Sequence, residues 1–333
     1  MELTTVTDGD AVFHDGTRVL RLEGLEPASE YAAHGQTFRT LPRPPGELLA
    51  TIATVSDLHL GETECGVYAG VDLGPVMRSG PDEPPYPDTM SRAAAAEIAA
   101  LNPDAVVAKG DLTSAGTPEE LELFMTCFGA RFGDRLHYVN GNHDVASGDR
   151  IEAPRMRVVD LPGVRLALLD TSVPGRSPGD LDSEQIEWLD DVGAEAASDG
   201  RPVLAFAHHP PDSASSPVGG IAPAASERLV EVFARRPALA GWFAGHTHRN
   251  RVHRLAATGA VPWAEVSATK DFPGAWAEYR VYEGGILQVV HRISSAEALD
   301  WTERTRAMFG GYYPGYAFGT LADRCFPVTL SAS

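Results

Sequence analysis

From residue 48 onward, short apolar runs alternate with segments of helical character. The runs at 49–56, 104–109, 135–140, 164–170, 202–207 and 239–244 each predict a strand. Helix starts are legible between them. Thr117-Pro118-Glu119-Glu120 offers an N-cap, a proline at the first helical position and a capping-box glutamate, and Ser183 precedes a second helical stretch. Strands alternating with helices predict a layered α/β architecture. After residue 250 the segments 276–282 and 286–293, joined through Gly284-Gly285, read as a hairpin.

The two ends differ from this middle. Residues 1–44 are short alternating segments such as Val12-Phe13 and Val19-Leu20-Arg21-Leu22 between Asp-Gly and Gly turn signals, which predicts a small β appendage. Leu22–Pro27 with Phe38–Pro42 resembles the end of a fibronectin type III domain but is too short for a whole sandwich, and Pro42-Arg43-Pro44-Pro45 reads as a linker. The expected division is therefore an appendage and linker at 1–44, a main domain at 45–295, and a tail at 296–333, with Trp301, Tyr312, Tyr313 and Tyr316, that packs back on it. The stretch 61–88 has several Pro and Gly residues and no clear period, so a long loop is expected there.

Charge narrows the partners. Forty-six acidic against 27 basic residues give a net charge of -19, so the average surface repels polyanions and a nucleic-acid polymer is not expected. A small phosphate ester stays compatible if bound cations reverse the local field. The first ten residues have neither a basic nor an apolar signal region, and no apolar run approaches the roughly 20 residues a membrane span needs. Three scattered cysteines, Cys65, Cys127 and Cys325, suit reduced thiols, so a cytoplasmic protein without membrane contact is expected. Oligomeric state is not readable.

Five short motifs carry the chemistry, each at the carboxyl end of a predicted strand. They are Ser56-Asp57-Leu58-His59, Lys109-Gly110-Asp111, Asn140-Gly141-Asn142-His143-Asp144, Ala207-His208-His209-Pro210 and Ala244-Gly245-His246-Thr247-His248. In an open α/β sheet, ligands bind beyond the carboxyl ends of the strands, so these five tips can converge. Their oxygen and nitrogen donors suit Mn, Fe or Zn. Ligands at i and i+2 in Asp57-Leu58-His59 and His246-Thr247-His248 fall on one side of an extended segment. Asp111, with two oxygens, can bridge two cations. Any one motif alone has a bland reading as a turn cap or a packed histidine; the five in this order do not. His14, His34, His137, His253 and His291 lack motif context and read as structural or surface residues.

The order Asp-x-His, Gly-Asp, Gly-Asn-His-Asp, His, Gly-His-x-His resembles the calcineurin-like metallophosphoesterase superfamily over about residues 50–295. The Gly-Asn-His-Asp and His-His-Pro-Pro forms are most similar to its class III cyclic nucleotide phosphodiesterase and glycerophosphodiesterase branch. The resemblance implies a four-layer α/β/β/α sandwich and two divalent or trivalent metal ions. One would take Asp57, His59, Asp111 and His248, the other Asp111, Asn142, His208 and His246. It implies His143 beside the phosphate as proton donor or charge stabiliser, with Asn142, His143 and His209 as candidate substrate contacts. His208 is preferred to His209 as the ligand because in related enzymes the position two before the proline ligates. Leu112-Thr113-Ser114 stands where many relatives carry a second acidic residue, which bears on the hydrogen bonding around the site.

Two cations would lower the pKa of a bridging water from 15.7 toward about 7 and clamp the phosphoryl oxygens, so hydrolysis by a metal-bridging hydroxide needs no covalent intermediate. The leading expectation is a phosphodiesterase acting on a cyclic nucleotide or glycerophosphodiester. The alternatives are a phosphomonoesterase for a nucleotide, sugar phosphate or phosphoprotein, and a non-catalytic scaffold, which should have lost a ligand position. Tyr68 and Tyr86 in the 61–88 stretch either stack on a base or pack the loop.

Overall fold

The computed structural model describes residues 1–68, 70–147, 151–211 and 218–330; the side chain of Tyr68 lies outside the described residues. The strands are β1 (Glu2–Val6), β2 (Ala11–Asp15), β3 (Arg18–Leu22), β4 (Glu30–Ala33), β5 (Gln36–Arg39), β6 (Leu48–Val55), β7 (Cys65–Tyr68), β8 (Val71–Met77), β9 (Ala105–Lys109), β10 (Leu136–Val139), β11 (Met156–Leu161), β12 (Val164–Leu169), β13 (Val203–Ala207), β14 (Leu239–Ala244), β15 (Arg251–His253), β16 (Trp263–Glu265), β17 (Ala275–Tyr282), β18 (Gly285–Arg292) and β19 (Cys325–Val328). The helices are α1 (Tyr86–Leu101), α2 (Pro118–Phe124), a π turn and α3 (Ala130–Phe132), α4 (Ser183–Asp199), α5 (Pro223–Arg235), α6 (Ala296–Thr305), α7 (Tyr313–Ala317) and α8 (Leu321–Arg324).

Two six-stranded mixed sheets, ordered β10-β9-β6-β17-β18-β19 and β11-β12-β13-β14-β16-β15, form the middle of the molecule. Their central strands are parallel: β10, β9 and β6 in one, β12, β13, β14 and β16 in the other. These strands are apolar at nearly every position because both faces are covered. In β6, Ala50 and Ile52 face the second sheet, whereas Ala53 and Val55 face the helices. In β13, Leu204 and Phe206 face the first sheet, and Val203, Ala205 and Ala207 pack under α4 and α5. Phe206 and Phe243 meet Tyr279 across the gap at centroid distances of 5.4 and 4.8 Å. Helices α1 and α6 cover the outer face of the first sheet, which completes the α/β/β/α sandwich.

Local signals set the helix ends. Thr117 accepts from the Glu120 N–H and the Glu120 carboxylate returns to the Thr117 N–H, closing the expected capping box. Ahead of α4 the cap is Asp182, one residue before the expected Ser183, because the Asp182 carboxylate takes the Gln185 N–H at 3.0 Å. The stretch 61–88 is more ordered than a long loop: β7 and β8 form a hairpin, and α1 begins at Tyr86. Tyr86 is buried and stacks on Trp301 with centroids 4.2 Å apart, so it packs the interior.

Strands β1–β3 form a separate sheet and β4–β5 a hairpin, sharing a small core of Leu3, Val6, Ala11, Phe13 and Phe38. Thr5 Oγ1 donates to the Val290 carbonyl in β18 at 2.8 Å, and Arg324 donates to the carbonyls of Leu3 and Thr4, both at 3.0 Å. The C-terminal residues supply β19, the edge strand beside β18. Among the described residues, no helix is long and apolar enough to cross a membrane.

Candidate metal centre

All five motifs emerge where the parallel strands end. Asp57 and His59 follow β6, Asp111 follows β9, Asn142 and His143 follow β10, His208 follows β13, and His246 and His248 follow β14. Lys109 ties the sheets together at this edge: its fully buried Nζ donates to the Ala244 carbonyl at 2.7 Å, and burial pulls its pKa down to about 7.

The backbone there is strained. Asp57, His59, Asp111, His246 and His248 all have positive φ, between 46° and 67°, a region that non-glycine residues rarely adopt. They are five of the nine such residues among those described. Strain concentrated on these side chains is the pattern of a functional site. Gly110 and Gly141 allow the close approach: a Cβ on Gly110 would lie 2.6 Å from the Gly141 nitrogen, and one on Gly141 would lie 2.2 Å from Asp111 Oδ1.

Asp111 sits at the centre. Its Oδ1 accepts the His143 N–H at 2.8 Å, while Oδ2 faces His59 Nε2 at 3.5 Å and His208 Nε2 at 3.3 Å. On one side Asp57, His59 and His248 offer atoms within 4.8 Å of one another, with His248 Nε2 at 3.4 Å from Asp57 Oδ1. On the other side Asp57, Asp111 and His208 do the same, and Asn142 Oδ1 lies 3.2 Å from His208 Nε2. His246 stands beside His208, ring centroids 5.0 Å apart, and its N–H donates to Asp57 at 3.0 Å.

Hydrogen bonding shows that these residues fit cations. The Lys109 carbonyl can only accept, so His208 Nδ1 donates to it at 2.9 Å, and the Nε2 lone pair then points at Asn142 Oδ1 and Asp111 Oδ2. Three acceptors converging call for a positive charge. Without an ion a proton fills that place: burial pushes the His208 pKa down, but the Asp111 and Asp57 carboxylates override it and raise it to about 9, so Nε2 is open as a ligand only when a cation displaces that proton. His59 is buried with neither ring nitrogen hydrogen-bonded, and burial next to Lys270 drives its pKa well below normal. A buried neutral imidazole with no partner is costly unless its lone pair meets an ion.

His209 belongs to the support. Its Nε2 donates to the Ser177 carbonyl at 2.9 Å, so its Nδ1 accepts from the Thr171 hydroxyl at 2.7 Å. Both nitrogens are used and the side chain is fully buried, and one ring nitrogen also lies within the 4.8 Å cluster of His208 and His246. His143 differs: it is half-buried, its Nδ1 donates to the Ser114 carbonyl at 2.8 Å, and a ring nitrogen lies within the 4.8 Å cluster of His59 and Asp111.

Two supporting acids carry roles that sequence motifs did not assign. Asp144 accepts from the N–H groups of Gly141, Leu112 and Thr113 and from the Thr113 hydroxyl, so it holds the turn where relatives were expected to show a second acid. It was visible in the Asn-His-Asp motif. Asp271, whose Oδ2 faces His248 Nδ1 at 3.9 Å, has no sequence signal at all.

The profile of the calcineurin-like phosphoesterase family matches residues 50–250, and the chain belongs to that family. It is 35% identical over 185 residues to a cAMP/cGMP dual specificity phosphodiesterase of Mycobacterium tuberculosis, covering 51% of each chain. It is 30% identical over 161 residues to the glycerophosphodiester phosphodiesterase GpdQ of Enterobacter lignolyticus, covering 44% of this chain and 56% of that one. The chain thus spans about half the length of the curated relatives it matches. A dimetal phosphatase from Danio rerio shares the fold, with a TM-score of 0.62 at 15% identity over 86% of this chain and 100% of that one.

Proposed function

We propose that this chain hydrolyses a small phosphodiester, a cyclic nucleotide or a glycerophosphodiester, with two metal ions that share Asp111. Asp57, His59, Asp111 and His248 would hold one ion; Asp111, Asn142, His208 and His246 would hold the other. The observation that carries this reading is Asp111 Oδ2, placed between His59 Nε2 at 3.5 Å and His208 Nε2 at 3.3 Å. Four imidazoles with carboxylate and amide oxygens suit Mn, Fe or Zn. When bound, the ions supply an acidified water and neutralise the phosphoryl charge.

The chain's own residues do the rest. Asp111 Oδ1 and the Ser114 carbonyl hold His143 from two sides, which supports a role in which it would hand a proton from Nε2 to the departing oxygen, a contribution typically of order 10² to 10⁴ in rate. The names of the relatives, one a cyclic nucleotide phosphodiesterase and one a glycerophosphodiesterase, support the diester class. Three free cysteines support a reducing compartment, the cytoplasm.

The test compares turnover of bis(aryl) and mono(aryl) phosphates on protein whose metal content is measured in the same preparation. Faster cleavage of the diester, followed by turnover of cyclic nucleotides or glycerophosphodiesters, is expected. Metal-loaded protein that cleaves neither would overturn the proposal, and preference for the monoester would move it to a phosphomonoesterase.

A further inference from the structure

We infer that the C-terminal segment completes the metal centre through two tyrosine hydroxyls, Tyr313 and Tyr316, that act as positioning residues for His248. The inference rests on the metal-binding role proposed above. His248 is only partly buried: its side chain is 22% exposed, its φ is 54°, and it follows a tight turn in which Thr247 N–H donates to the Gly245 carbonyl at 2.7 Å. A strained, partly exposed histidine keeps one geometry only if its surroundings impose it.

The tail imposes it from both sides. Tyr316 donates its hydroxyl to the Thr247 carbonyl at 2.8 Å, fixing the residue just before His248. Asn250, two residues after His248, donates its N–H to the Ala317 carbonyl at 2.9 Å and its side-chain amide to the Phe318 carbonyl at 3.2 Å. On the opposite side Tyr313, buried, donates to Asp271 Oδ1 at 2.7 Å, which turns Asp271 Oδ2 toward His248 Nδ1 at 3.9 Å. The segment bearing Asp271 is gripped as well: Trp301 Nε1 donates to the Lys270 carbonyl at 2.8 Å, and Thr305 Oγ1 accepts the Phe272 N–H at 3.0 Å.

The physical consequence follows from the tautomer. At 3.9 Å the Asp271 carboxylate is beyond hydrogen-bond length, but its negative charge on the Nδ1 side favours the tautomer with the proton there, which leaves the Nε2 lone pair directed at Asp57 and the ion beside it. Tyr313 matters because the buried Asp271 carboxylate, without that donor, is free to swing away from His248. Nothing in the signature motifs records this dependence, since the two tyrosines lie more than 60 residues beyond His248 in sequence.

Tyr313→Phe and Tyr316→Phe each remove one hydroxyl and keep the ring. Metal occupancy is titrated against a chelator with Co(II) as the probe, following its visible absorption, alongside thermal melting of the metal-free proteins. The expected result for Tyr313→Phe is loss of affinity for one of the two ions by 10- to 100-fold, with an altered Co(II) spectrum and a melting temperature within a few degrees of wild type. Asp271→Asn should shift the same ion, and Tyr316→Phe should do so more weakly. Wild-type affinity and spectrum in both tyrosine variants, even with lower melting temperatures, would make the tail merely structural and overturn the inference. Failure of the wild-type protein to bind Co(II) would instead count against the metal centre itself.

Discussion

Asp144 holds Thr113 twice on one oxygen, taking its N–H at 2.9 Å and its hydroxyl at 2.6 Å. Its other oxygen takes the N–H groups of Gly141 at 2.8 Å and Leu112 at 3.2 Å, so one buried carboxylate joins the turn after Asp111 to the turn that carries Asn142. Asp144→Ala leaves these donors unpaired in the interior. It should destabilise the chain by roughly 2–4 kcal/mol and weaken metal binding, with Asp144→Asn intermediate. Urea unfolding of metal-free protein reads the first effect and metal analysis the second; unchanged stability in Asp144→Ala would contradict the bridging role.

His208 and His209 are neighbours with opposite fates. His208 Nδ1 spends its proton on a backbone carbonyl and keeps Nε2 for the cluster, whereas His209 uses both nitrogens on Ser177 and Thr171. His208→Gln should therefore lose one of two metal equivalents. His209→Gln should keep both and lose activity on the order of 10-fold at most, through the loosened loop. Metal counts on the two purified variants decide it, and the reverse pattern would assign the ligand to His209.

Glu278 makes acid stability predictable. It is buried, and burial alone would raise its pKa, but His291 Nε2 at 2.8 Å and Arg280 Nε at 2.7 Å hold it down at about 2. Because the folded value lies below the unfolded one, the stabilisation is fully present above about pH 4.5 and is lost as pH falls toward 2. The swing is on the order of 3 kcal/mol. Urea midpoints at pH 6, 4 and 3 should fall less steeply with acid in Glu278→Gln than in the wild type; parallel slopes would contradict this.

The sequence made the two-sided strands legible because burial on both faces writes an unbroken apolar run, as in Leu204–Ala207 of β13 and Val106–Ala108 of β9. It hid β11, whose exposed positions blur the run, and β15 and β16, which are three residues long and have too little pattern to read. The β7–β8 hairpin reads as loop in sequence because Gly66, Gly70 and Gly74 with Pro75 interrupt its alternation. Among site residues, those on strand tips came as compact motifs. Asp271 and the tail tyrosines did not, because their link to His248 exists only after the chain has folded back across the sheet. His209 shows the complementary limit: adjacency in sequence to His208 said nothing about which ring nitrogen would stay open.

The central claim is that Asp111 is shared by two ions. Anomalous diffraction from crystals of Mn- or Zn-loaded protein tests it directly. Two peaks are predicted about 3.5–4 Å apart, one beside His59 and His248 and one beside His208 and His246, each in contact with Asp111. In Asp111→Asn crystals at least one should vanish, together with activity. A single peak, or ions bound away from Asp111, would contradict the account.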